Sequence, residues 1–323
     1  MNLSLVIPVW NDEAGLHRLL KQVGKLAVFD EVIVVDDGSS NAVDQEAARR
    51  ALKRNKFQLR VVRSETQRGA GHARNLGLSH VTSSHVLFFD SDDLLTEKFP
   101  TLVKDLIAQD EEFDFCIFQH IENRLRKERH IGPFHGDIAQ WSAAGAEGHL
   151  TWLDPNASPK FAKITAYPWN KIYRTEFLYR YGIRCTETPV HNDIELHWLS
   201  FLYGTRILVS DMLCAEHFVK EGGQHLTNRS GLERVHLITA LERVAEEIDA
   251  IKDGHRFEQP FVEFYLDLFG WALERISPRA RSTFRSKRNE FVEEHMSRQL
   301  FMKVNLANPD AGERIINIFN RSA

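Results

Sequence analysis

Three short apolar runs near the N-terminus each stop at a polar, acid-bearing turn. LSLVIPV (3–9) leads into WND, EVIVV (31–35) into DDGSS, and HVLFF (85–89) into DSDD. A short, nearly continuous apolar run is what a strand covered on both faces requires. The intervening stretches have helical spacing. Leu16, Leu19, Leu20 and Val23 fall at i, i+3, i+4 and i+7, with Asn11 or Asp12 placed to cap the helix. Residues 41–55 and 70–81 read as two more helices, the second despite its glycines, and FQLRVVR (57–63) as another strand. Strands alternating with helices imply βαβ units and an α/β fold, with a mostly parallel central sheet and helices on both faces. Ligands of such sheets sit outside the carboxyl ends of the strands. The three polar turns therefore converge along one rim.

The middle of the chain is less regular. Residues 97–110 read as a helix, 113–120 as a strand, 121–137 as a hairpin or mobile loop, and 168–183 as a strand followed by a short helix. Residues 192–204 form an amphipathic helix with Gly204 as its C′ residue. Residues 206–223 suggest a strand pair ended by Gly222-Gly223. From about 229 the pattern changes to three amphipathic helical stretches, separated or interrupted by Gly254, Pro260 and Ser277-Pro278. This divides the chain into a domain over 1–225 and a C-terminal helical domain or extension over 226–323. The first domain itself falls into two parts, about 1–95 with the regular alternation and 96–225 without it.

Composition excludes some classes. A chain of 323 residues with 43% hydrophobic and 27% charged content suits a globular protein. Its net charge of −4 gives no global field for nucleic acid. No apolar run reaches the roughly 18 to 20 residues needed to span a bilayer, and the start lacks the basic region and cleavage site of a signal peptide. The three cysteines, Cys116, Cys185 and Cys214, are scattered. That disfavours a disulfide framework or zinc site and points to a reducing cytoplasm.

Three motifs carry chemistry. In FFDSDD, Asp90 and Asp92 flank Ser91, so both carboxylates can reach one side of the loop. Hard oxygen donors in that arrangement suit Mg²⁺ or Mn²⁺; an ordinary polar loop would look the same. In VIVVDDGSS, Asp36 can cap the following helix, while Asp37 can accept from a base or ribose beside the permissive Gly38. In QRGAGHARNLG (67–77), glycines and two arginines, Arg68 and Arg74, precede or enter a helix N-terminal turn. They are either a diphosphate cradle or solvated surface charges.

The ordered set SLVIPVWND, VIVVDDGSS, GAGHARNLG, VLFFDSDD, WNKIYR and HNDIELHWLSFLYG resembles the family 2 glycosyltransferases, inverting metal-dependent enzymes of the GT-A fold that use nucleotide-diphosphate sugars. The resemblance spans roughly residues 1–220 and leaves the terminal helices uncovered. It implies that Pro8 and Trp10 lie beside the base and that Asp37 binds uracil or its equivalent. Arg74 meets base or diphosphate, with Gln67 and Gly71 nearby. Asp90 and Ser91 face the ribose or sugar. Asp92 is the principal metal ligand, joined by Asp90 and His217, while Asp93 supports the loop. In HNDI, Asp193 takes the role of the base that deprotonates the acceptor, and Asn192 replaces the family's usual Glu; an N-cap is the alternative role for Asp193.

The implied function is transfer from a nucleotide sugar, UDP-linked in most of the family, to a hydroxyl of a glycan or glycolipid in cell-surface polysaccharide synthesis. Mn²⁺ or Mg²⁺ is the implied cofactor. The implied setting is the cytoplasm or inner membrane face, with homo-oligomers through the C-terminal helices. Two other readings stand beside it. One is a non-catalytic nucleotide-sugar-binding or scaffold homologue, which Asn192 keeps open. The other is a sugar nucleotidyltransferase, against which PVWNDEAG lacks the Gly-rich basic loop after the first strand.

Overall fold

A computed structural model of the chain describes residues 1–53, 58–219 and 230–320. Its first half follows the predicted alternation: β1 (Leu3–Val9), α1 (Glu13–Leu26), β2 (Glu31–Asp36), α2 (Gln45–Leu52), β3 (Gln58–Arg63), α3 (Ala70–Leu78) and β4 (His85–Phe88). Asp12 caps α1 by accepting from the Gly15 N–H, and Asp44 caps α2. Then come β5 (Leu94–Leu95), α4 (Phe99–Ile107), β6 (Phe115–Glu122), α5 (His135–Ala143), β7 (Thr151–Trp152) and α6 (Ser158–Phe161). They are followed by β8 (Lys171–Arg174), α7 (Thr175–Arg180), α8 (Ile194–Tyr203) and β9 (Ile207–His217).

The described strands form one sheet ordered β3-β2-β1-β4-β8-β6-β9-β5, with β7 also on β9. It is parallel from β3 through β4, as the alternation requires. Beyond β4 it becomes mixed, because β8 enters antiparallel to both β4 and β6. The continuous apolar runs are explained by burial on both faces. In β1, Leu5 and Ile7 pack with α1, α2 and α4, while Val6 faces the opposite layer with Ile33, Val35 and Phe88. The glycines of α3 serve that second layer. A Cβ on Gly77 would meet Val6 Cγ1 at 2.3 Å, so the helix needs its glycine to lie against β1.

Three local expectations change. Residues 121–137 are neither hairpin nor simple loop: a 3₁₀ helix spans Asn123–Glu128 and α5 begins at His135. The anticipated strand pair over 206–223 is one long strand, β9, whose pairing with β6 shifts register between Phe118 and His120; Gly222-Gly223 lie outside the described residues. Gly204 ends α8 with φ −72°, not in the left-handed region. It is glycine because a Cβ would meet Ser200 O at 2.5 Å and the Phe115 ring at 3.0 Å.

The C-terminal region holds α9 (His236–Ala250), α10 (Glu258–Arg275) and α11 (Pro278–His295), as the periodicity predicts. Two further helices follow, α12 (Arg298–Ala307) and α13 (Pro309–Phe319). Their start signals are local: Ser297 accepts from Leu300 N–H, and Asn308 accepts from Ala311 N–H ahead of Pro309. These helices share a hydrophobic core with the sheet. Trp198 of α8, 1% exposed, meets Phe261 and Phe264 of α10 with ring centroids 5.0 Å apart in each case. Among the described residues no helix is long and apolar enough to cross a membrane.

Because Trp198 belongs to both packing units, Trp198→Ala is expected to cost about 3–5 kcal/mol. Chemical denaturation should register the loss as one cooperative transition. Two separated transitions would show that the helices fold independently of the sheet.

Candidate active site

The rim at the carboxyl ends of β1, β2 and β4 holds the three polar turns. Pro8 is buried inside β1, with Trp10 half-buried just beyond it. After β2, Asp36 accepts from the Ser39 and Val43 N–H groups and from Arg63 Nη1 at 2.5 Å. Burial pushes its carboxyl upward, but these partners hold it below the ordinary value. Asp37 turns the other way and closes on the loop before α3. Its two oxygens accept the Arg68 N–H at 3.0 Å and the Gly69 N–H at 2.7 Å, while burial raises its carboxyl. Its visible work is thus to hold the 67–69 backbone. A carboxylate has about four acceptor positions, so capacity for a nucleotide N–H remains. Gln67 is exposed on that loop. Gly71 sits where a Cβ would meet Thr186 O at 2.3 Å, bringing α3 hard against the segment leading to α8.

Arg74 is the centre of the arrangement. It is 4% exposed. Its Nη2 donates to Asp90 Oδ1 at 2.5 Å and its Nη1 to Asn192 Oδ1 at 2.7 Å. Its charge is held by Asp90 despite burial, and Arg68, by contrast, pairs with the exposed Glu187. Both hands of the Arg74 guanidinium are thus occupied by protein, which makes it a brace between two loops, not an open diphosphate contact. Asn192 supplies the oxygen that a Glu would supply, without adding a second negative charge beside Asp90 and Asp193.

The acidic loop divides its carboxylates among different environments. Ser91 Oγ donates to Asp12 Oδ2 at 2.8 Å, tying the loop to the start of α1. Arg18 of α1 donates to the Asp92 carbonyl. Asp93 is fully buried, accepting from the Phe218 N–H at 2.8 Å and facing His217 Nδ1 at 3.0 Å. Burial works against the His217 charge, but Asp93 raises its pKa above the ordinary value. The His217 ring also stacks on Trp169, 5.2 Å away. Trp169 and Trp198 are both buried core residues and form no exposed stacking wall. The Asp92 carboxyl is raised to about 7, first by burial and then by Asp93 and Asp90.

Asp193 occupies the cap position of α8, yet its side chain makes no capping hydrogen bond. Burial raises its carboxyl to about 6, against a smaller lowering from Arg74. Lys171, wholly buried in β8, donates to Tyr167 O and Asn170 Oδ1, and burial lowers its amine to about 7 although Asp193 and Asp137 act to raise it. Asp12, Arg18 and Lys171 border this site, and none stands out by itself as a site residue in the sequence, although WND and WNKIYR contain two of them. Asp12 reads only as a cap, Arg18 as a surface cation on α1, and Lys171 as one polar position in a strand. An adjacent cavity of about 300 Å³ is lined by Asn11, Asp12, Ser39, Val43 and Asp44. Two of its carboxylates, Asp12 and Asp44, are engaged as caps of α1 and α2.

The description "Glycosyl transferase family 2" belongs to a family model that matches residues 4–182. The chain belongs to that family. A putative glycosyltransferase EpsH of Bacillus subtilis is 24% identical over 252 residues, 76% of this chain and 64% of that protein. Poly(ribitol-phosphate) beta-N-acetylglucosaminyltransferase TarS of Staphylococcus aureus is 34% identical over 233 residues, 71% of this chain and 37% of TarS. The matched region is thus less than two thirds of either relative. The fold is that of S. aureus TarS 1-349 in complex with UDP-GlcNAc, at TM-score 0.72 and 21% identity, covering 100% of this chain and 92% of that one. It is also similar to mannosyltransferase PcManGT of Pyrobaculum calidifontis in complex with GDP-Man and Mn²⁺, at TM-score 0.55 and 17% identity, over 99% of this chain and 86% of that one.

The family implies a divalent cation, and the donor set fits one. Among the described residues no group of three or more His, Cys, Asp or Glu side chains is gathered as a ready cation site. Mg²⁺-type ions need no such cage, because they take one or two carboxylates and complete their shell with water and phosphate oxygens. Asp92, raised first by burial and then by Asp93 and Asp90, would be held ionised by such a cation. Asp90 keeps Oδ2 beyond its bond to Arg74. His217 has Nδ1 turned to Asp93, so Nε2 would be the nitrogen left to a cation held by Asp92 and Asp90.

Arg74→Lys keeps the charge but loses the two-handed span between Asp90 and Asn192. Turnover should fall about 10- to 100-fold through misplacement of the two loops, with the far-UV circular dichroism spectrum unchanged. Wild-type turnover in this variant would show that the brace is dispensable.

Proposed function

We propose that the protein is an inverting transferase moving a sugar from a nucleotide-diphosphate sugar, UDP-linked, to a hydroxyl of a glycan or glycolipid during cell-surface polysaccharide synthesis. The observation that carries this reading is the coupling of Asp193 to Asp90. A carboxylate free of its capping role and raised to about 6 is tied to the acidic loop through Asn192 and Arg74, whose partners lie 118 and 16 residues away in sequence. The UDP-GlcNAc bound to TarS supports the choice of donor. The buried free thiols Cys116, Cys185 and Cys214 suit a reducing compartment, in keeping with work on the cytoplasmic side, at the inner face of the membrane. In this reading residues 1–225 carry donor binding and catalysis, and 226–323 form the helical extension.

The acceptor hydroxyl approaches the anomeric carbon opposite the diphosphate. Asp193 takes its proton as the new carbon–oxygen bond forms, and the bond to the diphosphate breaks with its electron pair leaving on that group. A single displacement of this kind inverts the anomeric centre. Proton removal by a placed carboxylate contributes typically 10²- to 10⁴-fold. Arg74 and Asn192 hold the base loop against the donor loop, and Asp37 holds the 67–69 backbone that borders the nucleotide. When bound on Asp92 and Asp90, with His217 beside them, Mn²⁺ or Mg²⁺ supplies charge neutralisation on the departing diphosphate.

Asp193 acts only when ionised. With its carboxyl raised from 3.8 to about 6, turnover should rise with pH through an acidic limb near 6. Asp193→Asn should remove that limb and lower kcat about 10²- to 10⁴-fold. An unchanged profile in the variant would place the base elsewhere. Asp92→Asn should abolish Mn²⁺-dependent UDP binding in titration calorimetry, and undiminished affinity would show that the ligand lies elsewhere. A panel of UDP, GDP and CDP sugars with Mn²⁺ separates the transferase from a binding module: slow release of nucleotide without acceptor supports the transferase, and binding without any turnover overturns it.

A further inference from the structure

The corner between α10 and α11 concentrates positive charge in a chain whose net charge is −4. Between Glu274 and Glu290 the sequence carries Arg275, Arg279, Arg281, Arg285, Lys287 and Arg288 with no acidic residue. Arg279 and Arg281 lie in or near the first turn of α11, where the helix dipole opposes cations. Arg279 and Arg285 are exposed, and Arg281 Nε is buried without a hydrogen-bond partner among the described residues. Positive charge held against a helix N-terminus is an arrangement that folding alone does not favour.

This corner reaches the catalytic loop. Trp271 of α10 carries two guanidiniums, with Arg275 Cζ 4.7 Å and Arg234 Cζ 4.6 Å from its ring centroid. Arg234 is 1% exposed, and burial together with Arg275 lowers its pKa, against a raising effect of Glu233. Glu233 is also engaged with the Gly231 N–H, and Glu274 beside Arg275 is largely exposed. The edge of the same indole meets the His191 ring at 5.8 Å. His191 lies two residues before Asp193, holds the left-handed conformation at φ 59°, and has a buried Nε2 without a hydrogen-bond partner among the described residues. Arg275 is exposed and pairs with Glu274 Oε2 at 3.0 Å, whereas Arg279 and Arg285 stand exposed on the next helix, where an anion with several oxygens can meet more than one guanidinium.

We propose that this strip, with Arg275, Arg279, Arg281 and Arg285 as its contact groups and Trp271 as its link to the base loop, binds the phosphate groups of an anionic, phosphodiester-bearing acceptor. It feeds the acceptor's hydroxyl toward Asp193. The inference rests on the transferase reading above. A membrane surface would also attract such a strip, but it would not require the link through Trp271 and His191 to the catalytic loop. Successive phosphates along a flexible chain would engage the strip outside the site while one unit occupies the position beside Asp193.

The test compares wild type with the exposed-residue variant Arg275→Glu/Arg279→Glu/Arg285→Glu, using a synthetic polyol-phosphate oligomer and an uncharged oligosaccharide as acceptors. Donor hydrolysis without acceptor is the control for the transferase reading. The variant should hydrolyse donor at the wild-type rate. Its KM for the polyol phosphate should rise about tenfold or more, and its dependence on salt should flatten by about one logarithmic slope unit per lost contact. Turnover of any uncharged acceptor should not change. Equal KM for the polyol phosphate, or equal losses for both acceptors, overturns the proposal while leaving the transferase reading intact. Loss of binding to phosphatidylglycerol vesicles with acceptor kinetics unchanged assigns the strip to a membrane and also overturns it. Absence of donor hydrolysis in wild type with Mn²⁺ counts against the transferase reading itself.

Discussion

The hydrogen bonds from the two hands of Arg74 hold the site together. One meets Asp90 on the loop after β4, and the other meets Asn192 on the loop before α8. Burial makes this a committed arrangement, since a guanidinium removed from water must find acceptors or pay a desolvation penalty of several kcal/mol. Gly71, three residues earlier, lets α3 come close enough for the span to close. With Asn192 where the family usually has Glu, Arg74 still finds an oxygen there, and Asp90 is its ionic partner. The electrostatic consequence falls on Asp193, which sits beside a cation less fully neutralised than a Glu would leave it.

The sheet and terminal helices form one packing unit around that brace. Trp198 inserts between α8 and α10, so the helix that carries the base loop is backed by the C-terminal region. Trp271 approaches the same loop through His191. The C-terminal helices therefore pack behind the loop that carries His191 and Asp193. The acidic loop is supported in the same way: Ser91 is fixed by Asp12, and Asp93 by His217 and the Phe218 N–H.

Much of the architecture was legible because it rests on local periodicity. The runs at 3–9, 31–35 and 85–89 read as strands buried on both faces, and Asp12 read as a cap. The misses share a cause. β9 looked like a strand pair because its polar residues Ser210 and Asp211 resemble a turn, yet Ser210 is buried and bonded to His149 O. Gly204 looked like a left-handed terminator, but its reason is the Phe115 ring on a strand far away in sequence. α12 has a clear capping residue but buries only Val304, while α13 is capped by Asn308 and buries a regular stripe of Ala311, Ile315 and Ile318. In the site, Lys171 and Arg18 gave no signal, since a buried lysine and a surface arginine are spelled alike.

By itself the sequence determined the alternation of strand and helix, the rim on which WND, DDGSS and DSDD meet, and the family to which those motifs belong. These follow from hydrophobic period and turn chemistry, which act over a few residues. Only the tertiary structure decided which carboxylates face outward and which are spent inside. It turned Asp93 to His217, Asp37 to the 67–69 backbone and Arg74 to Asp90 and Asn192, because hydrogen-bond partners 16 to 124 residues apart are chosen by how α3, β4, α8 and β9 pack together.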